Sequence, residues 1–274
     1  MNGSIDAWRA ASIVGAPVFI GSDTTLFWAR GNHMTGMSQV FSWAVVCAVV
    51  LISTGVMADE KKLASDFVSM FDGKTLQGWS VMPAKAQAAW TVENKIIVGR
   101  GDKGRSYLIF DKKEIADFEI KLSYRFPGKG NSGISIRAQI DETKKRHFKS
   151  YHVDFGHVGI GKQILGAWDF HTPGRREHAC FRGDHLVIDK NDIPTVTKIK
   201  GAVASGDIRK GDWNDVHVIA RGNRFVFFIN GKISSEFIEH LPREKRLETG
   251  MVQLQLHDPE MVVHFKDLRI KILK

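Results

Sequence analysis

From about residue 59 onward, apolar and polar side chains alternate with a period near two in short runs bounded by Gly, Asn or Asp. That pattern predicts short antiparallel strands rather than helices. In Asp117 to Phe126, Phe118, Ile120, Leu122, Tyr124 and Phe126 share one face, while Glu119, Lys121, Ser123 and Arg125 share the other. Arg224 to Ile229 and Lys232 to Phe237 flank Asn230-Gly231, a pair suited to the positive φ angles of a type I′ hairpin turn. On the order of a dozen such strands, evenly spaced, predict an all-β sandwich. The stretch from Gly156 to Gly211 is less regular and rich in His, Arg and Gly, so long loops are expected there, and in a sandwich these often carry the site. No composition shift or internal repeat divides the domain.

Three of the predicted strands carry unusual polar faces. Asn131, Gly133, Ser135, Arg137 and Gln139 lie opposite Ile134, Ile136 and Ala138; His152 and Asp154 lie opposite Tyr151, Val153 and Phe155; Gln253, Gln255 and His257 lie opposite Val252, Leu254 and Leu256. Strand alternation puts each set on one side of its strand. A merely solvated face would be richer in Lys, Glu and Thr, so the amide, imidazole and guanidinium content points to a concave polar cleft.

The run Val40 to Met57 is apolar, ends at Ala58 and is followed at once by Asp59, Glu60, Lys61 and Lys62. It is short and interrupted by Ser53, Thr54 and Gly55, with Val56 and Ala58 at the positions a signal peptidase reads, whereas a permanent span needs about 20 steadily apolar residues. Residues 37–58 are therefore expected to be a signal peptide and 1–36 an N-terminal extension of uncertain use, with Met34 and Met37 as alternative starts. Residues 59–274 would be the mature domain, periplasmic or secreted, with no membrane span after processing.

Composition sharpens this only in places. The chain has 39 Lys and Arg against 30 Asp and Glu, a formal charge of +9, and residues 1–58 contain two Arg and two Asp, so the charge belongs to the mature domain. Two cysteines, one of them Cys47 in the leader, rule out a disulfide framework and a structural zinc site. Lys144-Lys145-Arg146 and Arg175-Arg176 read as solvated loops, and without interleaved aromatics they argue against nucleic acid.

Several motifs occur in a recognisable order. These are Phe71-Asp72-Gly73-Lys74-Thr75-Leu76-Gln77-Gly78-Trp79, Trp90-Thr91-Val92-Glu93-Asn94, Asp117-Phe118-Glu119, Asn131-Ser132-Gly133-Ile134-Ser135-Ile136-Arg137, Gly211-Asp212-Trp213-Asn214 and Leu254-Gln255-Leu256-His257. In this order the chain resembles the bacterial 3-keto-disaccharide hydrolase family from about Phe67 to the C-terminus. The resemblance implies a concanavalin A-like jelly roll of two antiparallel sheets, export, and action on 3-keto sugars or related glycosides. One departure stands out: where many members have Y-E-V-Q, this chain has Tyr151-His152-Val153-Asp154.

The expected function is cleavage of a 3-keto-glycoside by C2 proton abstraction, elimination and hydration. That chemistry needs a base near neutral pH, an electrophile at the C3 oxygen and an acid for the leaving group. Asp154 or His152 is the candidate base, Arg137 or a divalent cation the electrophile, and His257 the acid. His152, Asp154 and His257 could also converge on such a cation, or His152 and Asp154 could be a surface charge pair. Asn131, Gln255, Trp168 and Asp169 are the substrate-binding candidates, with Trp168 as a sugar platform and Trp79, Trp90 and Trp213 in the core. Gly133 is expected to serve the preceding turn. The alternative from another class is a non-catalytic carbohydrate-binding jelly roll, whose face would be satisfied by Asn, Gln and aromatics without the ionisable set. N-terminal sequencing of the protein recovered from the cell envelope or medium is expected to begin at Asp59; an intact leader would refute the export assignment.

Overall fold

The computed structural model describes residues 66–274 except 113, 162 and 173. The extension expected at 1–36 and the leader at 37–58 lie outside the described residues. Among those residues the strands are β1 (Val68–Ser69), β2 (Trp79–Met82), β3 (Trp90–Glu93), β4 (Ile96–Arg100), β5 (Ser106–Phe110), β6 (Phe118–Arg125), β7 (Asn131–Ile140), β8 (Phe148–Gly156) and β9 (Trp168–Phe170). They continue with β10 (His178–Cys180), β11 (Asp184–Ile188), β12 (Pro194–Lys198), β13 (Asn214–Arg221), β14 (Arg224–Ile229), β15 (Lys232–Glu239), β16 (Met251–Leu256) and β17 (Val262–Ile272). One sheet runs β12-β11-β15-β14-β13-β6-β17-β4-β3, with β1 also on β17, and the other β10-β9-β8-β7-β16-β5-β2. No described helix is long and apolar enough to cross a membrane.

The stretch expected to be irregular carries β9 to β12, each of three to five residues. Such strands are too short for a period of two to stand out. Every pairing is antiparallel except β11 with β15, which is parallel. The chain enters β11 by crossing from the other sheet, so no hairpin dictates its direction. Asn230 and Gly231 have φ of 49° and 77°, the positive pair that closes the β14–β15 hairpin as a type I′ turn requires.

The two sheets meet over alternating apolar residues: Phe118, Ile120, Leu122 and Tyr124 of β6, Phe225 and Phe227 of β14, and Phe237 of β15 on one side, with Ile134, Tyr151, Val153, Phe155 and Leu254 on the other. Phe225 stacks on Phe237 at 4.3 Å, and Tyr124 on Phe155 at 4.8 Å; aromatic pairs add roughly 0.5–1.5 kcal/mol beyond their buried area. Trp79 and Trp90 are core residues, with indole N–H groups donating to the Met70 carbonyl at 2.7 Å and to Ser106 Oγ at 3.1 Å. Trp213 is not in the core: half-buried, it carries Arg125 and Lys266 over its ring at 4.8 and 4.4 Å.

Trp168 is likewise corrected. It pairs with Val153, takes the core side of β9, is fully buried and meets Phe225, Phe227 and Phe237 edge-on. A ring in that position offers no platform to a sugar.

Arg137 is corrected by backbone geometry. The β7–β8 register shifts between Ile136 and Gln139, and Arg137 has φ of 47°, as at a β-bulge. The bulge turns the side chain off the polar face and toward the other sheet, where the guanidinium lies 4.9 Å over Phe225. It donates to the carbonyls of Ala116 (3.0 Å), Gly222 (2.9 Å) and Leu247 (2.9 Å) and pairs with Asp117 at 3.0 Å. Gly250 permits the bulge, since a Cβ there would lie 2.4 Å from the Arg137 carbonyl carbon. Losing the guanidinium leaves three carbonyls without their donor, so Arg137→Met is expected to cost about 3 kcal/mol. Urea denaturation should show a lower midpoint at unchanged slope; wild-type stability would refute this anchoring role.

Candidate active site

The face of the smaller sheet turned away from the core is built by β16, β7, β8 and β9 lying side by side. Across them Gln253, Ser135, His152 and Asp169 are successive partners, and Gln255, Gly133 and Asp154 form the next row. The expected alternation therefore brings His152, Asp154, Asp169 and Gln255 together, and all four are buried rather than set on an open surface. Gly133 has a different role from the turn expected for it: a Cβ there would lie 2.2 Å from His152 Nε2 and 2.2 Å from the Val153 carbonyl oxygen. The missing side chain leaves the space that the imidazole occupies.

His152 is fixed on both sides. Its Nδ1 is 2.9 Å from Ser135 Oγ, its ring stacks on His171 at 4.8 Å, and its Nε2 is 3.8 Å from Asp154 Oδ1. Asp154 and Asp169 are hydrogen-bonded to each other, and burial, first, together with Asp169 holds the Asp154 carboxyl well above the usual range. Asp169 is raised to about 7 by burial and by Glu177, against the hydrogen bond from Asp154 and the charge of Arg146. Two buried carboxyls in contact cannot both ionise at neutral pH, so the pair holds a proton between them with Asp154 as donor.

His171 Nε2 lies 3.5 Å from Glu177 and 4.0 Å from Asp169. Burial lowers the His171 pKa, so its ring is neutral at pH 7. Glu177 is lowered to about 2 by its hydrogen bond to His171 and by Arg146, which pairs with it at 3.1 Å. Asp169, His171 and Glu177 offer ligand atoms all within 4.8 Å of one another. Two carboxylates and an imidazole form a donor set that suits a divalent cation. This set shares none of its members with the expected His152, Asp154 and His257 group.

Beside this cluster is an open cleft of about 550 Å³, lined by Met82, Arg105, Tyr107, Ile140, Asp141, residues 144–148 and His171. That volume is in the usual range for small-ligand sites. Its apolar wall is Tyr107 and Phe148, edge to face at 5.2 Å, packed with Ile109 and Met82. The Gln253 amide is buried, and both of its polar atoms lack a hydrogen-bond partner among the described residues.

The remaining expected residues stand apart. Arg137 faces the core. His257 follows β16 at the cleft edge, with an Arg105 guanidinium nitrogen against its Nε2 and Asp258 at 2.6 Å from its Nδ1. A guanidinium only donates, so Nε2 is the accepting nitrogen of that contact; neither nitrogen is partnered by Asp154 or Asp169. Asn131 is half-buried at the start of β7, paired with Gly156. Sequence reasoning placed Ser135 on the polar face and Arg146 in a solvated loop without giving either a role, and missed Tyr107, Phe148, His171, Glu177 and Arg105. Arg105, Tyr107 and Ile109 share a parity that could have been read as one face, but His171 and Glu177 sit in loops where no periodicity marks them.

These features define a two-sheet β-sandwich with a buried polar cluster beside an open, aromatic-walled cleft. The chain belongs to the 3-keto-alpha-glucoside-1,2-lyase-like domain family, whose model matches residues 66–271. Among solved structures it is similar to a protein from Parabacteroides distasonis provisionally named a glycosyl hydrolase, at 19% identity over 78% of this chain and 97% of that one, with a TM-score of 0.52. A second such protein from the same organism matches at 16% identity over 76% and 99%, TM-score 0.49. A carbohydrate-binding module from Bacillus subtilis matches at 15% over 71% and 95%, TM-score 0.42. No curated protein sequence matches significantly.

The raised carboxyls have a consequence for stability. Unfolded, both would titrate near 3.8; folded, Asp169 titrates near 7 and Asp154 well above its ordinary value. The native state therefore binds more protons, and the stability this pair contributes, complete below pH 3.8, is lost as pH rises toward and through 7. The melting temperature is expected to be several degrees higher at pH 5.5 than at pH 8, and Asp154→Asn should flatten that slope. An equal slope in the variant would contradict the assignment.

Proposed function

We propose that this protein cleaves 3-keto-glycosides, with the Asp154–Asp169 pair as the proton-transfer centre. The observation that carries the reading is a hydrogen-bonded carboxyl pair, buried beside an aromatic-walled cleft, whose Asp169 titrates near 7. A general base works best when its pKa lies near the operating pH. A ketone at C3 acidifies the C2 hydrogen, and Asp169 takes that proton. The electron pair forms the C1=C2 bond as the C1–O bond breaks, and the leaving oxygen gains a proton. Water then adds across the double bond, hydroxyl to C1 and hydrogen to C2, so that the net reaction is hydrolysis.

His152, held by Ser135 and stacked on His171, keeps the base oriented. Asp154, which carries the proton of the pair, is the group suited to pass a proton to the leaving oxygen, and His171 faces Glu177 beside it. The developing charge on the C3 oxygen needs an electrophile, and with Arg137 turned into the core that role passes to Arg146; a cation held by Asp169, His171 and Glu177 would supply Lewis-acid chemistry instead, but only by taking Asp169 as a ligand rather than as the base. Tyr107 and Phe148 supply apolar contact for a sugar ring, and the Gln253 and Gln255 amides supply partners for its hydroxyls. The domain would work outside the cytoplasm, delivered by the leader.

The test is release of a chromogenic aglycone from a 3-keto-glucoside, with and without chelator. Asp169→Asn is expected to lower kcat by about 10²–10⁴-fold, and wild-type kcat/KM should rise with pH to a plateau above about 7. Glycan binding without turnover of any 3-keto-glycoside would favour the carbohydrate-binding reading instead.

A further inference from the structure

Lys144-Lys145-Arg146, expected as a solvated loop, is exposed between β7 and β8 and also lines one side of the cleft. These three cations line the opening together with Arg105 from the opposite side, while the acidic residue among the lining groups is Asp141. That carboxylate is held within its own loop and offsets only part of their charge. Asp141 Oδ1 accepts from the Thr143 N–H at 3.0 Å and the Thr143 hydroxyl at 2.7 Å, and Oδ2 from the Arg146 N–H at 3.0 Å. It is buried in the base of its own loop, where these bonds hold Lys144 and Lys145 at the rim. Arg146 is paired with Glu177, whereas Arg105 meets the His257 ring, with Asp258 on its far side. Lys144, Lys145 and Arg105 thus leave a net positive charge at the mouth.

We infer that, on the proposed reading of the reaction, the preferred substrate is a 3-keto-glycoside whose leaving group carries an anionic substituent, a carboxylate or a sulfate ester, held at the cleft mouth by Lys144, Lys145 and Arg105. The apolar wall of Tyr107 and Phe148 receives the uncharged ring, and the reacting carbons face Asp169 and His171 at the inner end. The cations at the rim are exposed, so their attraction is screened by salt and works on selection rather than on the chemical step. A low-dielectric wall beside the charges focuses the field and raises the local concentration of an anion.

The experiment compares three 3-keto-glucosides with the purified protein: an uncharged nitrophenyl aglycone, its carboxylate-bearing counterpart and its sulfate-bearing counterpart. At low ionic strength kcat/KM for the anionic substrates should exceed that of the neutral one by about tenfold, a size that two or three exposed ion pairs supply. The ratio should shrink toward one in about 1 M salt, where the Debye length falls to roughly 3 Å. Lys144→Gln with Lys145→Gln should reduce the same ratio at low salt, and Arg105→Gln, which removes the cation on the opposite side of the mouth, should reduce it as well. The carboxylate and sulfate arms tell the two anion sources apart. Equal turnover of neutral and anionic substrates at low salt, or a ratio unmoved by the lysine substitutions, overturns this inference and leaves the proposed reaction intact. No turnover of any of the three overturns both.

Discussion

The bulge in β7 decides which side of the smaller sheet receives a positive charge. A regular strand would have placed Arg137 on the same face as Ser135, within the reach of His152 and its carboxyl neighbours. One residue in the left-handed region, allowed by Gly250 opposite it, sends the guanidinium to the core instead. There it ties the carbonyls of Ala116, Gly222 and Leu247 to one planar donor, which joins segments from both sheets at one end of the sandwich. The other consequence is electrostatic. With no guanidinium on their face, Asp154 and Asp169 are buried against each other and keep a shared proton, so the feature that anchors the fold also leaves the site with a group able to act as a base near neutral pH.

A second constraint is space. His152 can lie flat over β7 only because Gly133 has no side chain, and its ring can then be sandwiched between Ser135 and His171. The stack aligns an imidazole of β8 with one from the loop after β9, with a carboxyl on each side. Burial, not a partner charge, is the leading cause of the shifts at Asp154, Asp169 and His171, which means the site's protonation pattern is a property of the packing around it. Glu177, half exposed and paired with Arg146, titrates in the opposite direction. The cluster therefore contains an ionised carboxylate, a proton-sharing pair and a neutral imidazole within one small region, the separation of roles that acid–base chemistry requires.

The legibility of this site from sequence followed the length of its strands. β7, β8 and β16 are long enough for their alternation to be read, and His152, Asp154 and Gln255 were found on a common face with the apolar side correctly assigned to the core. Asp169 was found for a less secure reason, through its adjacency to Trp168. That tryptophan was placed on the wrong side because β9 has three residues and offers no period to read. His257 has the right parity but continues past the end of its strand, where Arg105 and Asp258 take both of its nitrogens. The cationic rim looked like ordinary loop because a run of lysines has the same composition whether it borders water or a cleft.

What the sequence by itself determined is the part governed by local periodicity and turn chemistry: an all-β sandwich, a core of alternating aromatic and aliphatic residues, the Asn230-Gly231 hairpin, the family, and one polar face among the strands. Tertiary structure alone decided where Arg137 points, which carboxyls touch, and that His171 and Glu177 from irregular segments complete the cluster. The physical reason is range. Side-chain alternation is set by neighbours one or two residues away, whereas a bulge is defined against a partner strand. The pKa of a buried acid likewise depends on whatever distant segments exclude water from it.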